Sequence, residues 1–460
     1  MKNKYIRMKR FITLVLLAVC TLSVGAQGID GSWKGVLHVG QARLNLVFNI
    51  TKDSTGKPAC TMDSPDQGAK GIPAEIKISD GTKMEITVGA IGMTYSGELK
   101  DGVIKGNFSQ GGMSLPLDLT PGSVELKRPQ TPKPPFPYAT EEVTFTNTTD
   151  NAVLSGTLTI PAADAKARKG KTPVIIMVSG SGLQNRDEEI FGHKPFLVLA
   201  DYLARHGIAS LRYDDRGVGK SKGDVVYATT ENFKNDAAAA LAFIRADKRF
   251  GSAGVLGHSE GGTIAFMLGA EGKADYIVSL AGTALRGDSI LLDQNLRGLA
   301  MSGFPQKTCE NYCRALEAVF ARIVAGETPE RADIAVQEAL RETGVTIPES
   351  LSQNLVQVIK TTTPWLRYTL AYSPQPSISR IKCPVMALNG SKDTQVSAVL
   401  NLNAVRRLLP ENKRNVINEY AGLNHLFQHC TFGGVDEYGT IEETMSEEVM
   451  KDIAEWVKLN

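Results

Sequence analysis

Charge of one sign, long apolar runs, cysteine and histidine are all scarce in this chain. Fifty-one lysines and arginines face 49 aspartates and glutamates, a formal net charge of +2. That balance gives no reason to expect a nucleic-acid partner. The apolar run from Phe11 to Val19 is too short to span a membrane. One of the six cysteines, Cys20, lies in the N-terminal stretch, leaving Cys60, Cys309, Cys313, Cys383 and Cys430. An odd number cannot pair completely, and Cys309 and Cys313, one helical turn apart, are awkwardly placed for a disulfide. Mostly free, buried thiols are expected. His425, His429 and Cys430 cluster only locally, with no second ligand group at matching spacing, so neither a metal nor a cofactor is expected.

What is present divides into stretches of different character. Lys2, Lys4, Arg7, Lys9 and Arg10 precede the apolar run, and Val24-Gly25-Ala26 supplies small residues before Gln27. Residues 1–26 therefore read as a secretory signal peptide, and the protein as exported, periplasmic or extracellular. Leu17-Ala18-Val19-Cys20 is a weak lipoprotein pattern, because valine before the cysteine fits poorly. Residues 28–120 alternate apolar and polar positions, as in Arg43 to Ile50, with Asp80-Gly81 and Asp101-Gly102 as hairpin turns. That predicts a small antiparallel β-barrel or curled sheet. Its role is open between a packed accessory or homodimerisation module and a single-ligand barrel. Six prolines from Pro121 to Pro137 make 121–140 a stiff linker, and 141–460 reads as a large α/β domain.

Within that domain, Gly254-Val255-Leu256 runs into Gly257-His258-Ser259-Glu260-Gly261 and then an apolar helical stretch. Strand, sharp turn and helix with serine at the apex is the pattern of a nucleophile elbow, and the glycines are expected to let the backbone take a strained turn. Such a serine needs a base. Only His425 and His429 follow Ser259, and His425 stands just after the strand-like Asn415 to Tyr420. Asp393 comes three residues after the apolar run ending at Gly390. Its expected part is to hold the imidazole tautomer that leaves the other nitrogen free. Two N–H donors should meet the oxygen that becomes negative in the reaction. Glu260 is expected to supply one, and Ser181, Gly182 or Leu183, after the apolar run Pro173 to Val178, the other.

Asp214-Asp215-Arg216-Gly217-Val218-Gly219-Lys220-Ser221 nearly spells a phosphate-binding loop, but Asp214 replaces the first glycine. Two carboxylates would repel a phosphate, and the segment is expected to shape the pocket floor or order neighbouring turns. Residues 286–377 show apolar residues at helical spacing, as in Tyr312 to Phe320 and Ile334 to Leu340. They should form a helical lid over the carboxyl edge of the sheet. Leu183, His258, Trp365 and Tyr368 are expected at the substrate pocket.

From about residue 140 onward the chain resembles the α/β-hydrolases, specifically the bacterial exported serine esterases, and more distantly the prolyl oligopeptidase-like peptidases and acyl thioesterases. The resemblance lies in Val178 to Gly182 with Asn185-Arg186-Asp187, Arg212 to Ser221, Gly257 to Gly262, Leu388 to Asp393 and Gly422 to Phe427. It implies an α/β fold, a mostly parallel sheet with helices on both faces and a helical lid, preceded by the small all-β domain. It also implies a carboxylic ester hydrolase working through an acyl-enzyme on a small-molecule acyl ester, with Ser259, Asp393 and His425 matching the family's triad. Ester, thioester and peptide bonds all stay open. So does a different class, in which the β-domain binds an envelope ligand as the protein's main role.

Overall fold

The computed structural model describes residues 29–39, 42–124, 126–162 and 171–460. The expected signal peptide and Cys20 lie outside the described residues. The chain divides into one unit holding the residues up to Ser64 and Ala69–Val124, and a second holding Pro65–Gly68 and Glu125–Asn460.

The first unit is all antiparallel. It comprises β1 (Gly31–Val39), β2 (Ala42–Lys52), β3 (Pro58–Ser64), β4 (Ala69–Ser79), β5 (Lys83–Val88), β6 (Met93–Lys100), β7 (Val103–Gln110), β8 (Met113–Pro116) and β9 (Thr120–Pro121). Neighbouring strands follow chain order from β8 back to β1, with β9 on the far side of β1. Between β8 and β9 the chain also bonds to β7, through Leu117 N–H to the Gly106 carbonyl (2.9 Å) and a reciprocal pair between Ile104 and Leu119. The sheet therefore curls back on itself. Alternation puts Met84, Ile86 and Val88 inside with Trp33, Phe48, Tyr95 and Phe108. A Cβ at Gly97 would sit 2.7 Å from the Tyr95 hydroxyl, so the ring fills space that these glycines leave free.

The second unit holds an eight-stranded sheet: β10 (Ala139–Asn147), β11 (Ala152–Ile160), β12 (Thr172–Val178), β13 (Ala209–Tyr213), β14 (Phe250–His258), β15 (Ile277–Leu280), β16 (Val385–Gly390) and β17 (Val416–Tyr420). Their order is β10-β11-β13-β12-β14-β15-β16-β17. The first two strands pair antiparallel and every pair from β13 to β17 is parallel. This is the α/β-hydrolase arrangement. Its central strands are apolar on both faces: Val174, Ile176 and Val178 pack one way, Ile175 and Met177 the other. The first face is covered by α2 (Thr230–Ala246), α3 (Glu260–Ala270) and α10 (Ala398–Leu408). The second is covered by α1 (Pro195–Arg205) and α11 (Glu447–Val457).

Between β15 and β16 the chain leaves the sheet to form α4 (Gly287–Met301), α5 (Gln306–Val324), α6 (Ala332–Thr343), α7 (Glu349–Lys360), α8 (Pro364–Ala371) and the short α9 (Gln375–Ile378). Four of them, α5 to α8, share a core of their own, including Leu316, Phe320, Val336, Leu355 and Leu370. The five cysteines within the described residues are unpaired. No described helix is long and apolar enough to cross a membrane.

A buried histidine ties the two ends of this unit. His193 places Nδ1 2.9 Å from Thr444 Oγ1 and Nε2 3.0 Å from the Tyr438 carbonyl. Burial, helped by the nearby Arg128 charge, lowers its pKa to about 4. The unfolded chain binds that proton more readily, so the stability from neutral His193 is full above about pH 6.5 and is lost as pH falls toward 4. Calorimetry from pH 7 to 4.5 should show Tm falling by several degrees. A His193→Gln protein should start lower and fall less steeply, and equal slopes would exclude this role.

Candidate active site

Ser259 is the N-cap of α3, with φ 53° and ψ −116°. Few residues with a side chain adopt this conformation, and it costs on the order of 1–3 kcal/mol. The flanking glycines act differently from expectation: neither Gly257 nor Gly261 has a positive φ, and the strain falls on the serine itself. Their service is close approach. A Cβ on Gly257 would overlap the Gly261 carbonyl, and one on Gly261 would overlap the Val178 carbonyl. Strand β14 can meet the start of α3, and α3 can meet β12, only because these two Cβ atoms are missing.

The structure brings the three expected polar groups together from three strand ends. Asp393 follows β16. Its Oδ1 accepts from the backbone N–H of Gln395 and Val396, both at 2.8 Å, and its Oδ2 lies 2.7 Å from His425 Nδ1. Both side chains are buried. His425 lies beyond β17 in a loop organised by Asn424, whose Oδ1 accepts from Leu426 and Gln428 N–H. With Nδ1 engaged by Asp393, Nε2 is the ring atom left for Ser259, and both residues line one cavity. His429, the other histidine beyond Ser259, is exposed and paired with Glu443.

The loop after β12 decides which amides can face a reacting carbonyl. Gly180 N–H is occupied by Glu188 Oε1 (2.7 Å), and Gln184 N–H by Asp215 Oδ2 (2.8 Å). Of the three expected donors, Ser181 lines the cavity. Gly182 lines a separate narrow void behind it, and Leu183 points to solvent, half exposed. Both are corrected by the turn: with φ 96° at Gly182 the chain swings away from the cavity. The first amide of α3, at Glu260, belongs to the four that a helix leaves without an internal acceptor. The Glu260 carboxylate binds Thr230 Oγ1 (2.6 Å) and Trp365 Nε1 (2.9 Å), tying α2 and the lid to the residue after the nucleophile.

The cavity holds about 280 Å³ and is lined from the sheet side by Ser181, Ser259 and His425. The lid contributes Ile290, Leu291, Gln294, Trp365 and Thr369. Tyr368 is not among its lining. Positions 365, 369 and 372 line the cavity from α8 and its exit, while Tyr368, at the flank of that face, lines a surface groove and stacks on Tyr372. His258 does reach the wall, but both its ring nitrogens are engaged, by Glu188 and by the His425 carbonyl.

The phosphate-loop look-alike supports the loop after β12. Asp215 accepts from Ser179 Oγ and Gln184 N–H, and its burial pushes its pKa up to about 8. Asp214 takes Arg186 through two nitrogens, at 3.1 and 2.7 Å. Arg216 is buried against Asp236 and Asp150. Sequence reasoning missed Glu188 as a functional residue. Its position directly after the quoted Asn185-Arg186-Asp187 was the available signal, but only the fold shows which atoms it touches.

The family described as serine aminopeptidase, S33, matches residues 194–317, which include Ser259. Esterase EstD of Thermotoga maritima is 30% identical over 141 residues, 31% of this chain and 33% of EstD, so the chain spans about a third of the length of that curated relative. Among solved structures, an esterase of Pyrococcus furiosus is similar with a TM-score of 0.42 and 17% identity, covering 74% of this chain and 99% of its own. A proline iminopeptidase of Mycobacterium smegmatis is similar at 0.41 and 14%, covering 69% and 98%.

The elbow's glycines yield a stability test. Gly257→Ala and Gly261→Ala should each lower Tm by about 5 °C or more and abolish labelling of Ser259 by a fluorophosphonate. Gly298→Ala, in α4 with open space around it, should leave labelling intact and raise Tm slightly. A normal Tm and normal labelling in Gly257→Ala would show that close approach is not required.

Proposed function

We propose that this chain is a serine hydrolase of the α/β-hydrolase type that cleaves small carboxylic esters through an acyl-enzyme. The observation that carries the reading is Ser259 in a strained turn on the same cavity as a His425 already oriented by Asp393. In this reading His425 Nε2 takes the Ser259 proton as Oγ attacks the ester carbonyl. The Asp393 carboxylate stabilises the resulting imidazolium. The amides of Glu260 and Ser181 receive the negative oxygen. His425 then protonates the departing alcohol, and water, activated by the same imidazole, releases the acid.

The charges in the cavity favour an ester over an aminopeptidase substrate. A free amino terminus needs an available carboxylate, and the two in the lining, Glu188 and Glu260, are each bonded within the protein. The lining has no lysine or arginine to hold a carboxylate or phosphate. A volume of about 280 Å³ holds about nine water-sized groups, enough for a short acyl chain and part of an alcohol. The filled interior of the N-terminal barrel supports an accessory or homodimerisation role over ligand storage. The basic and apolar N-terminal residues support export.

Purified residues 27–460 should hydrolyse p-nitrophenyl esters fastest at two to four acyl carbons and poorly by laurate, with little turnover of alanine p-nitroanilide. Ser259→Ala and His425→Ala should lower kcat about a million-fold, and Asp393→Asn about ten-thousand-fold. Ester turnover that persists unchanged in Ser259→Ala, or faster cleavage of the anilide than of any ester, would sink this reading.

A further inference from the structure

Two buried titratable groups beside the nucleophile have no part in the proton transfers above. His258 ends β14 immediately before Ser259, and Glu188 lies in the loop after β12; they are 7% and 5% exposed. Glu188 Oε1 accepts from Gly180 N–H at 2.7 Å and lies 2.9 Å from His258 Nδ1. The other ring nitrogen, Nε2, lies 3.0 Å from the backbone carbonyl oxygen of His425. A neutral imidazole has one N–H and one lone pair. Between a carboxylate and a carbonyl, either neutral tautomer would aim its lone pair at an oxygen. The spacing therefore calls for two protons between Glu188 and the His425 carbonyl. Imidazole is the stronger base and the Gly180 N–H favours the carboxylate, so both protons belong on the ring.

We propose that the His258 imidazolium and the Glu188 carboxylate are positioning residues, a buried strut that holds the oxyanion loop at Gly180 and the main chain of the catalytic base at His425 in register with Ser259. Glu188 carries a positive φ of 50°, a strained conformation that aims its carboxylate inward. Gly180 sits in the gap between strut and nucleophile. A Cβ there would come 3.2 Å from Ser259 Cβ and 3.3 Å from Glu188 Oε1. The groups that face His258 are Glu188, the His425 ring with its centroid 4.6 Å away, and Asp393 beyond it. Burial pulls the His258 pKa down, but Glu188, by charge and hydrogen bond, outweighs burial and the net direction is upward.

The kinetic consequence rests on the esterase reading; the protonation of His258 does not. Glu188→Gln keeps an oxygen for Gly180 N–H but lacks the charge that holds the second ring proton. His258→Gln cannot reach both Glu188 and the His425 carbonyl. Each variant should lower kcat about 10- to 100-fold with KM changed less than about 3-fold. Second-order labelling of Ser259 by a fluorophosphonate should slow in parallel. The double variant should be no worse than the poorer single one, because the pair acts as a unit. Rates are to be normalised to phosphonate-titrated sites, a correction that erases any purely structural loss. In ¹⁵N-histidine-labelled protein, two ring N–H signals that vanish in His258→Gln should persist at pH 7.5. A single ring proton on His258, or wild-type kcat per titrated site in Glu188→Gln, would overturn the proposal. If the wild type showed no Ser259-dependent ester turnover, the esterase reading would fail while the two ring protons could still be observed.

Discussion

The close approach of backbone to backbone at Ser259 is the constraint on which the rest of this site depends. The serine takes a left-handed conformation that its own chemistry does not favour, so surrounding structure must over-determine it. Gly257, Gly261 and Gly262 allow β14, α3 and the turn after β15 to pack with no Cβ between them. The Ser259 N–H is taken by the Leu280 carbonyl at 2.8 Å. Sheet, helix and turn thus hold the strained turn from three sides.

Around that turn lies a ring of acidic side chains, Glu188, Asp215, Asp214 and Glu260, each with a partner. Glu188 binds Gly180 and His258, Asp215 binds Ser179 and Gln184, and Asp214 binds Arg186. Glu260 binds Thr230 and Trp365. Unpaired buried charge is costly, and here the carboxylates find backbone N–H groups of the same loops that must be held still.

Much of this was legible in the chain. Alternation in residues 28–120, both-face apolar runs such as Val174 to Val178, and helical spacing between 286 and 377 correspond to barrel, parallel sheet and lid. Each depends on local periodicity, which side-chain burial imposes directly. Ser259, Asp393 and His425 could be picked out because each follows a strand, and parallel strands deliver their carboxyl ends to one edge. The errors lie where a turn's rotation matters. Gly182 and Leu183 are one and two residues from Ser181, yet φ at Gly182 turns them out of the cavity. Tyr368 is three residues from Trp365 on the flank of the same helix face, yet its ring stacks on Tyr372 and does not line the cavity.

The sequence by itself determined the class of fold and pointed to Ser259, Asp393 and His425, because strands and their ends follow from short-range pattern. Only the tertiary structure decided which loop and lid residues line the cavity, and that Glu188 and His258 join two loops 237 residues apart in number, from Glu188 to His425. Those contacts are set by side-chain direction and by the meeting of distant segments. Neither leaves a periodic trace in the chain.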